Sequence, residues 1–364
     1  MRAATFLLML GATLSGCTLL FDPDRVTYED EQRDAGKDDA GMADAGMRDA
    51  TVPDSGPRDA GEADAHRVDG GPPPCGQIGE ACCAAPRPAC AAGANCTLDG
   101  CQACGGPGEE CCTSGAACQV AGCVPATQRC PTVTPLVDVA VPGGGTYGID
   151  AHEVTRTQYE EWLATSPTPS GALVGEGCGG NTDLAPSASC LAAGFDCTGA
   201  SCGGRPQTCV DWCDAFAYCA AIGKQLCGRY GPGEISISSF TDASLSPWYN
   251  ACSSGGMYLF PTGDSGGDAD DNCQFTDLGG SADAASLTGC QSSVPGYEGV
   301  LALTGNVREW ANGCDGNDAS ARCLAMGGAY LDNDWYEGQC NFPNTLPRTS
   351  TTASTGFRCC ELAP

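Results

Sequence analysis

Apolar and polar positions divide this chain into stretches of different kinds. Phe6–Leu10 is a short apolar run behind Met1-Arg2. It is followed by the small residues Gly11-Ala12-Thr13 and by Leu14-Ser15-Gly16-Cys17. A positive start, a short apolar centre and small residues before a cleavage point predict a secretory signal over 1–17, too short to span a bilayer. From 18 to 71 there is almost nothing to bury. Residues 72–130 consist largely of cysteine and turn residues. Beyond 131 apolar positions fall at structural periods. Trp212, Ala215, Phe216 and Cys219 share one face of a helix, and Gly223 suits its end. Turn signals recur throughout 131–364, and the length is ample for one large core. The pattern predicts a loop-rich α+β domain with few long helices.

Charge sharpens the boundaries. The chain carries a net −28. Residues 18–71 repeat Asp-Ala-Gly (34–36, 39–41, 44–46, 59–61) and hold 15 acidic against 6 basic residues. Such composition predicts a disordered, self-repelling tether. About fifty such residues have an r.m.s. span of roughly 40 Å, enough to lift a domain off a membrane. Residues 131–364 hold 26 acidic and 8 basic residues, a surface that repels nucleic acid and anionic lipid. Nucleic-acid binding is excluded on that ground.

The 29 cysteines point to an oxidising compartment. Residues 72–130 hold twelve in two similar halves: Cys75, Cys82-Cys83, Cys90, Cys96, Cys101, then Cys104, Cys111-Cys112, Cys118, Cys123, Cys130. The repetition predicts two small cystine-stapled modules, since segments this short cannot hold an apolar core without bridges. Six cysteines allow 15 connectivities, and both a stalk and a binding module fit them. A zinc reading lacks ligands, because His66 and His152 are the only histidines. The Leu-Ser-Gly-Cys ending resembles a bacterial lipobox, which implies a lipidated Cys17 and leaves 28 cysteines to pair. Thr18 after it fits outer-membrane sorting, so the expected location is the bacterial cell envelope, with a lipid anchor in the outer membrane.

A run of motifs in 131–364 carries a family resemblance. Gly305-Asn306-Val307 with Glu309-Trp310 resembles the GNVWEW signature of the formylglycine-generating enzymes, the sulfatase-modifying factors. Further motifs follow the family order. They are Ile149-Asp150 with Glu153-Val154-Thr155 and Tyr159, where Thr155 caps a helix, then Val210-Asp211-Trp212, Ala217-Tyr218-Cys219 and Gly223-Lys224-Gln225-Leu226. Trp248-Tyr249 with Ala251-Cys252, Phe260-Pro261 with Gly263-Asp264, Asn272, Val294, Gly327-Gly328-Ala329-Tyr330 and Gly356-Phe357-Arg358-Cys359 complete it. The resemblance implies a C-type-lectin-like α+β fold. It also implies the disulfides Cys219–Cys359 and Cys252–Cys340. Each closes a long loop, worth on the order of 4–5 kcal/mol in the chain-entropy model. Cys273–Cys290 and Cys314–Cys323 are expected as local staples.

The family oxidises a substrate cysteine to formylglycine with copper held by two active-site cysteines. Those positions fall here on Asp332 and Glu337. Carboxylates are hard ligands and do not replace thiolates for Cu(I). Copper is therefore not expected, unless a shifted alignment makes Cys340 and Cys360 the pair. A related branch holds iron with three histidines, which two histidines cannot supply, and His152 reads as structural or surface, so Ser/His/Asp catalysis is not expected either. Calcium is the remaining cofactor expectation. Glu309 with the carbonyls of Gly305 and Val307 forms one site, short of a ligand because Ala302 replaces Asn or Asp; Asn272 and Asp283 suggest another. Equally, Glu309 reads as a buried structural carboxylate. Asp264, Asp268, Asp270 and Asp271 read as a cation cluster or a solvated loop. The expected function is non-catalytic, a binding or scaffold domain whose groove includes Asp332, Asp334, Trp335, Tyr336 and Glu337 and takes a carbohydrate or peptide. The alternatives are an oxidoreductase using an unusual cysteine pair and a purely structural envelope protein.

Overall fold

The computed structural model describes residues 77–361 except 81, 84–89, 99, 115, 194–198, 267–271, 276–278 and 333. Cys17, the signal 1–17, the tether 18–71, Cys75 and the loop acids Asp268, Asp270 and Asp271 lie outside the described residues.

Among the described residues, two bridges of the first cystine module match two of the second. In the second, Cys104–Cys112, Cys111–Cys123 and Cys118–Cys130 join the first cysteine to the third, second to fifth and fourth to sixth. In the first, Cys82–Cys96 and Cys90–Cys101 repeat the last two links. A hairpin of β1 (Ala94–Thr97) and β2 (Gly100–Ala103) supports the first module. Asn95 ties it to the second by donating to the Cys111 carbonyl (2.8 Å) and accepting from the Thr113 amide (2.8 Å). The second module docks on the large domain, where the Ala121 amide donates to the Ala221 carbonyl (3.1 Å).

Two four-stranded sheets build the large domain. The first has the order β3 (Leu136–Ala140), β4 (Thr146–Asp150), β10 (Cys359–Cys360), β5 (Gln225–Leu226). The second has the order β8 (Thr345–Pro347), β7 (Arg322–Met326), β6 (Arg308–Cys314), β9 (Thr355–Phe357), with β6 and β9 parallel. Side chains alternate across a strand, and here both faces are covered. Trp310, Cys323 and Ala325 enter one core cluster with Tyr159, Trp162, Trp212 and Phe357. Ala311, Leu324 and Met326 enter another with Ile149, Trp248 and Leu303. The fold is α+β, as its pattern predicted, with four short helices described.

Local chemistry explains those helices. Thr155 caps α1 (Arg156–Leu163) in a reciprocal box with Gln158. After α2 (Ala188–Ala192) comes α3 (Trp212–Ala221), where Asp211 and Asp214 cap each other's backbone amides. Trp212, Ala215 and Cys219 are fully buried on one face of α3. Gly223 follows in the left-handed region (φ +75), where a side chain would be strained. Ser246 caps α4 (Pro247–Cys252), with Pro247 in the first turn.

Candidate functional site: the Arg308 groove and its buried support

Residues of several of the motifs meet in one buried network. Glu309 on β6 accepts from Arg358 Nη2 (2.6 Å) and Nε (2.7 Å) and from Trp248 Nε1 (2.7 Å). Arg358 also donates to the Asp150 carbonyl (3.0 Å) and the Leu301 carbonyl (2.7 Å). Charge-assisted, bidentate bonds of this kind are the strong ones. Asp150, at the end of β4, pairs with Lys224 and accepts from the Cys359 amide (2.8 Å). Glu153 accepts from Asn306 Nδ2 (2.9 Å), and its second oxygen is buried without a partner. Burial pushes the Glu153 carboxyl up to about 8; Arg358 pulls against that and Glu309 adds to it.

Asn306 sits at the hinge of this network. Its backbone lies in the left-handed region (φ 50), its amide donates to the carbonyls of Cys273 and Gln274, and its Oδ1 accepts from the Ala282 amide. Asn tolerates that conformation better than most residues. Before it, a Cβ on Gly305 would stand 2.1 Å from the Cys273 carbonyl oxygen, so only glycine fits. This turn leads into β6, whose first residue is Arg308.

Arg308 stands where the quoted signature has Trp, and two carboxylates converge on it. Arg308 Nη2 pairs with Asp332 and lies 3.0 Å from Glu337 Oε2. Asp332 also accepts from the Ala329 amide (2.7 Å). Burial is the main reason the Asp332 carboxyl is pushed up to about 6; Arg308 pulls it down and Glu337 pushes it up. Asp334 caps a short 3₁₀ turn, Trp335–Gly338, by accepting from the Tyr336 amide. That turn presents Trp335 and Tyr336 to solvent, 39% and 52% exposed, with their rings stacked at 4.0 Å. Phe260 lies 6.1 Å behind Trp335. Thr304 donates to the Gly338 carbonyl (2.9 Å), binding the turn to the Asn306 hinge. The five groove residues expected from sequence are thus brought to one place. Arg308, which organises them, was missed; its signal was a charge replacing the signature's Trp together with two carboxylates replacing thiols.

The donor set does not fit copper. Asp332 and Glu337 offer hard oxygens already paired to a guanidinium. Cys340 is bonded to Cys252 and Cys360 to Cys227. Every cysteine among the described residues is in a disulfide, including Cys219–Cys359, Cys273–Cys290 and Cys314–Cys323. The shifted alignment with Cys340 and Cys360 as a thiol pair is thereby corrected. Glu309, which the resemblance set beside the carbonyls of Gly305 and Val307, is buried and pairs with the Arg358 guanidinium. Asn272 packs beside Gly289 and Asp283 beside Gly204. Among the described residues, the groups of three or more ligand side chains within 4.8 Å of one another are disulfide cysteines. Asp264 accepts from the Leu259 amide. Half-buried His152 bonds the Glu153 carbonyl, and desolvation lowers its pKa.

Comparison with known proteins follows these motifs. The solved structures it resembles include CarF, at 16% identity over 63% of this chain and 96% of that one (TM-score 0.39). They also include PvdO from Pseudomonas aeruginosa, at 17% identity over 64% of this chain and 94% of that one (TM-score 0.38). A third is variable protein 1 of Treponema denticola, at 14% identity over 63% and 92% (TM-score 0.37). No curated protein matches the chain. The model of the sulfatase-modifying factor enzyme 1-like domain matches residues 122–363, well over half of the chain. The span takes in the Asp150, Glu153, Asn306, Glu309 and Arg358 network, and the chain belongs to the family of sulfatase-modifying factor enzyme 1-like domains.

Proposed function

We propose that this protein is an exported, lipid-anchored envelope protein whose family domain binds a ligand and catalyses nothing. The ligand stacks on Trp335 and Tyr336, and the Arg308–Asp332–Glu337 cluster bonds its polar groups. The carrying observation is the convergence of Asp332 and Glu337 on Arg308 beside an exposed, stacked aromatic pair. Aromatic faces next to fixed carboxylates and a guanidinium suit the apolar faces and hydroxyls of a saccharide, or the side chains and amides of an extended peptide. A charge-paired cluster holds its geometry without a bound ion, which suits recognition better than redox chemistry.

Arrays of glycans and peptides, probed with wild type and with Trp335→Ala, test the reading. Selective binding that the variant loses by tenfold or more is the expected result. Aldehyde formation on a cysteine peptide, measured aerobically with added copper, would overturn it in favour of an oxidoreductase. The anchor belongs to the same proposal. Cells fed a labelled fatty acid should label the wild type and leave Cys17→Ser unlabelled.

A further inference from the structure

A second cavity, separate in its residues from the Arg308 groove, carries an inference of its own. It has a volume of about 570 Å³ and opens beside α3 and the far end of β6, within the usual range for small-ligand sites. Its apolar wall is Trp212 and Phe216, stacked at 5.3 Å, with Leu226. Its polar lining includes Glu176, Glu234 and Asn312, together with Lys224, Gln225 and Asn317.

Three features fix the sign of what fits. First, Asn312 is only 4% exposed. Its Nδ2 donates to the Gly233 carbonyl, which leaves Oδ1 as the acceptor, and that Oδ1 is buried with no partner. An unpaired buried acceptor costs about 1–3 kcal/mol, and a donor in the cavity would remove that cost. Second, neither Glu176 nor Glu234 is in an ion pair among the described residues; burial raises the Glu234 pKa, Arg348 pulls against that and Glu176 adds to it. Third, the cation among the lining residues is already paired: Lys224 Nζ pairs with Asp150 and donates to the Thr134 carbonyl (2.7 Å). Arg348 is not a lining residue; it sits 4.6 Å over the Trp212 ring, donates to the Gly316 carbonyl, and keeps Nε and Nη1 buried without a partner among the described residues. The cavity therefore remains acidic, with an aromatic wall and one buried acceptor.

We infer that this cavity binds an organic cation, an ammonium or guanidinium on an apolar stem, with the stem on Phe216 and Val174 and the charge between Glu176, Glu234 and the Asn312 Oδ1. Aromatic faces and carboxylates both favour such a group once it is desolvated. A free amine and a lysine or arginine side chain of a partner share this chemistry.

Titration calorimetry on the purified, disulfide-intact protein tests the inference with three probes of one shape: 4-phenylbutylamine, 4-phenylbutanol and 4-phenylbutyrate. The amine should bind at least tenfold more tightly than the alcohol, and the carboxylate should not bind. The double variant Glu176→Gln/Glu234→Gln, which alters one exposed and one half-buried side chain, should erase the preference of amine over alcohol. A lysine tripeptide with blocked ends separates the sources. Tighter binding than the free amine assigns the site to a partner's side chain, and weaker binding assigns it to a small amine. Equal affinity for amine and alcohol, a preference that survives the double variant, or no binding of the amine would each overturn the inference. Trp335→Ala should leave all three titrations unchanged, so failure here is distinct from failure of the groove reading.

Discussion

At the scale of the residue, two glutamates in one buried network make opposite predictions. Glu309 holds Arg358 by two bonds and Trp248 by one. Glu309→Gln leaves a fully buried guanidinium without its counter-charge, and breaking such a pair costs about 3–5 kcal/mol. Glu153 has one oxygen without a partner, and its carboxyl is neutral below about 8. Glu153→Gln keeps the shape and the acceptor for Asn306 and needs no proton, so it should change stability little at pH 5 and raise it at pH 7, where wild-type Glu153 must hold a proton against solvent. Urea unfolding of both variants separates the two roles; a large loss in Glu153→Gln would mean that its charge matters. In the groove, Arg308→Ala sets Asp332 and Glu337 against each other without their common partner. A loss of about 2–3 kcal/mol is expected, and Arg308→Ala/Asp332→Asn should recover part of it. The sequence made the identities of these residues legible through the family motifs. It did not make their partners legible, because Arg308, Asp332 and Glu337 are apart in sequence and meet only in the fold.

At the scale of the element, the disulfides act in groups. Cys219 and Cys227 flank the end of α3 and β5, and their partners Cys359 and Cys360 are neighbours on β10. The separations are 140 and 133 residues, yet the two bridges do not stabilise independently. Once one is formed, the other closes only the short remaining loop. The chain-entropy model gives about 5 kcal/mol for the first closure and about 3 kcal/mol for the second. Removing either pair to alanine should cost about 3 kcal/mol plus a small cavity term, while removing both should cost about 8 kcal/mol. Denaturant midpoints of the two double variants and the quadruple variant measure this. Strict additivity of the two losses would contradict nested closure. Local pairs such as Cys314–Cys323 were readable from spacing. Cys227–Cys360 was not, because β5 and β10 become neighbours only through the order of the first sheet.

At the scale of the whole molecule, charge sets the conditions under which the fold is most stable. The chain is at −28, and several acids are buried among its apolar clusters. Burial pushes Glu153 up to about 8 from an ordinary 4.5. Burial, with Asp211 adding to it, pushes Asp214 up to about 7 from 3.8. Burial also pushes Asp150 and Asp332 up to about 6, against the pull of Lys224 and Arg308. A carboxyl whose folded pKa lies above its unfolded value binds its proton more tightly in the folded state. Its contribution is fully present below the unfolded value and is lost as pH rises through the folded value. All four therefore make stability fall between about pH 4 and pH 8. His152 works the other way, since its lowered pKa favours the folded state above that value, but it is one half-buried group against four. The unfolding midpoint in urea should be higher at pH 5.5 than at pH 8. Glu153 spans the widest window, so Glu153→Gln should flatten the upper part of the profile, between pH 6 and pH 8, more than a change at any other single acid. A wild-type midpoint that rises from pH 5.5 to pH 8 would show that self-repulsion of the acidic surface and burial of these carboxyls do not govern the fold.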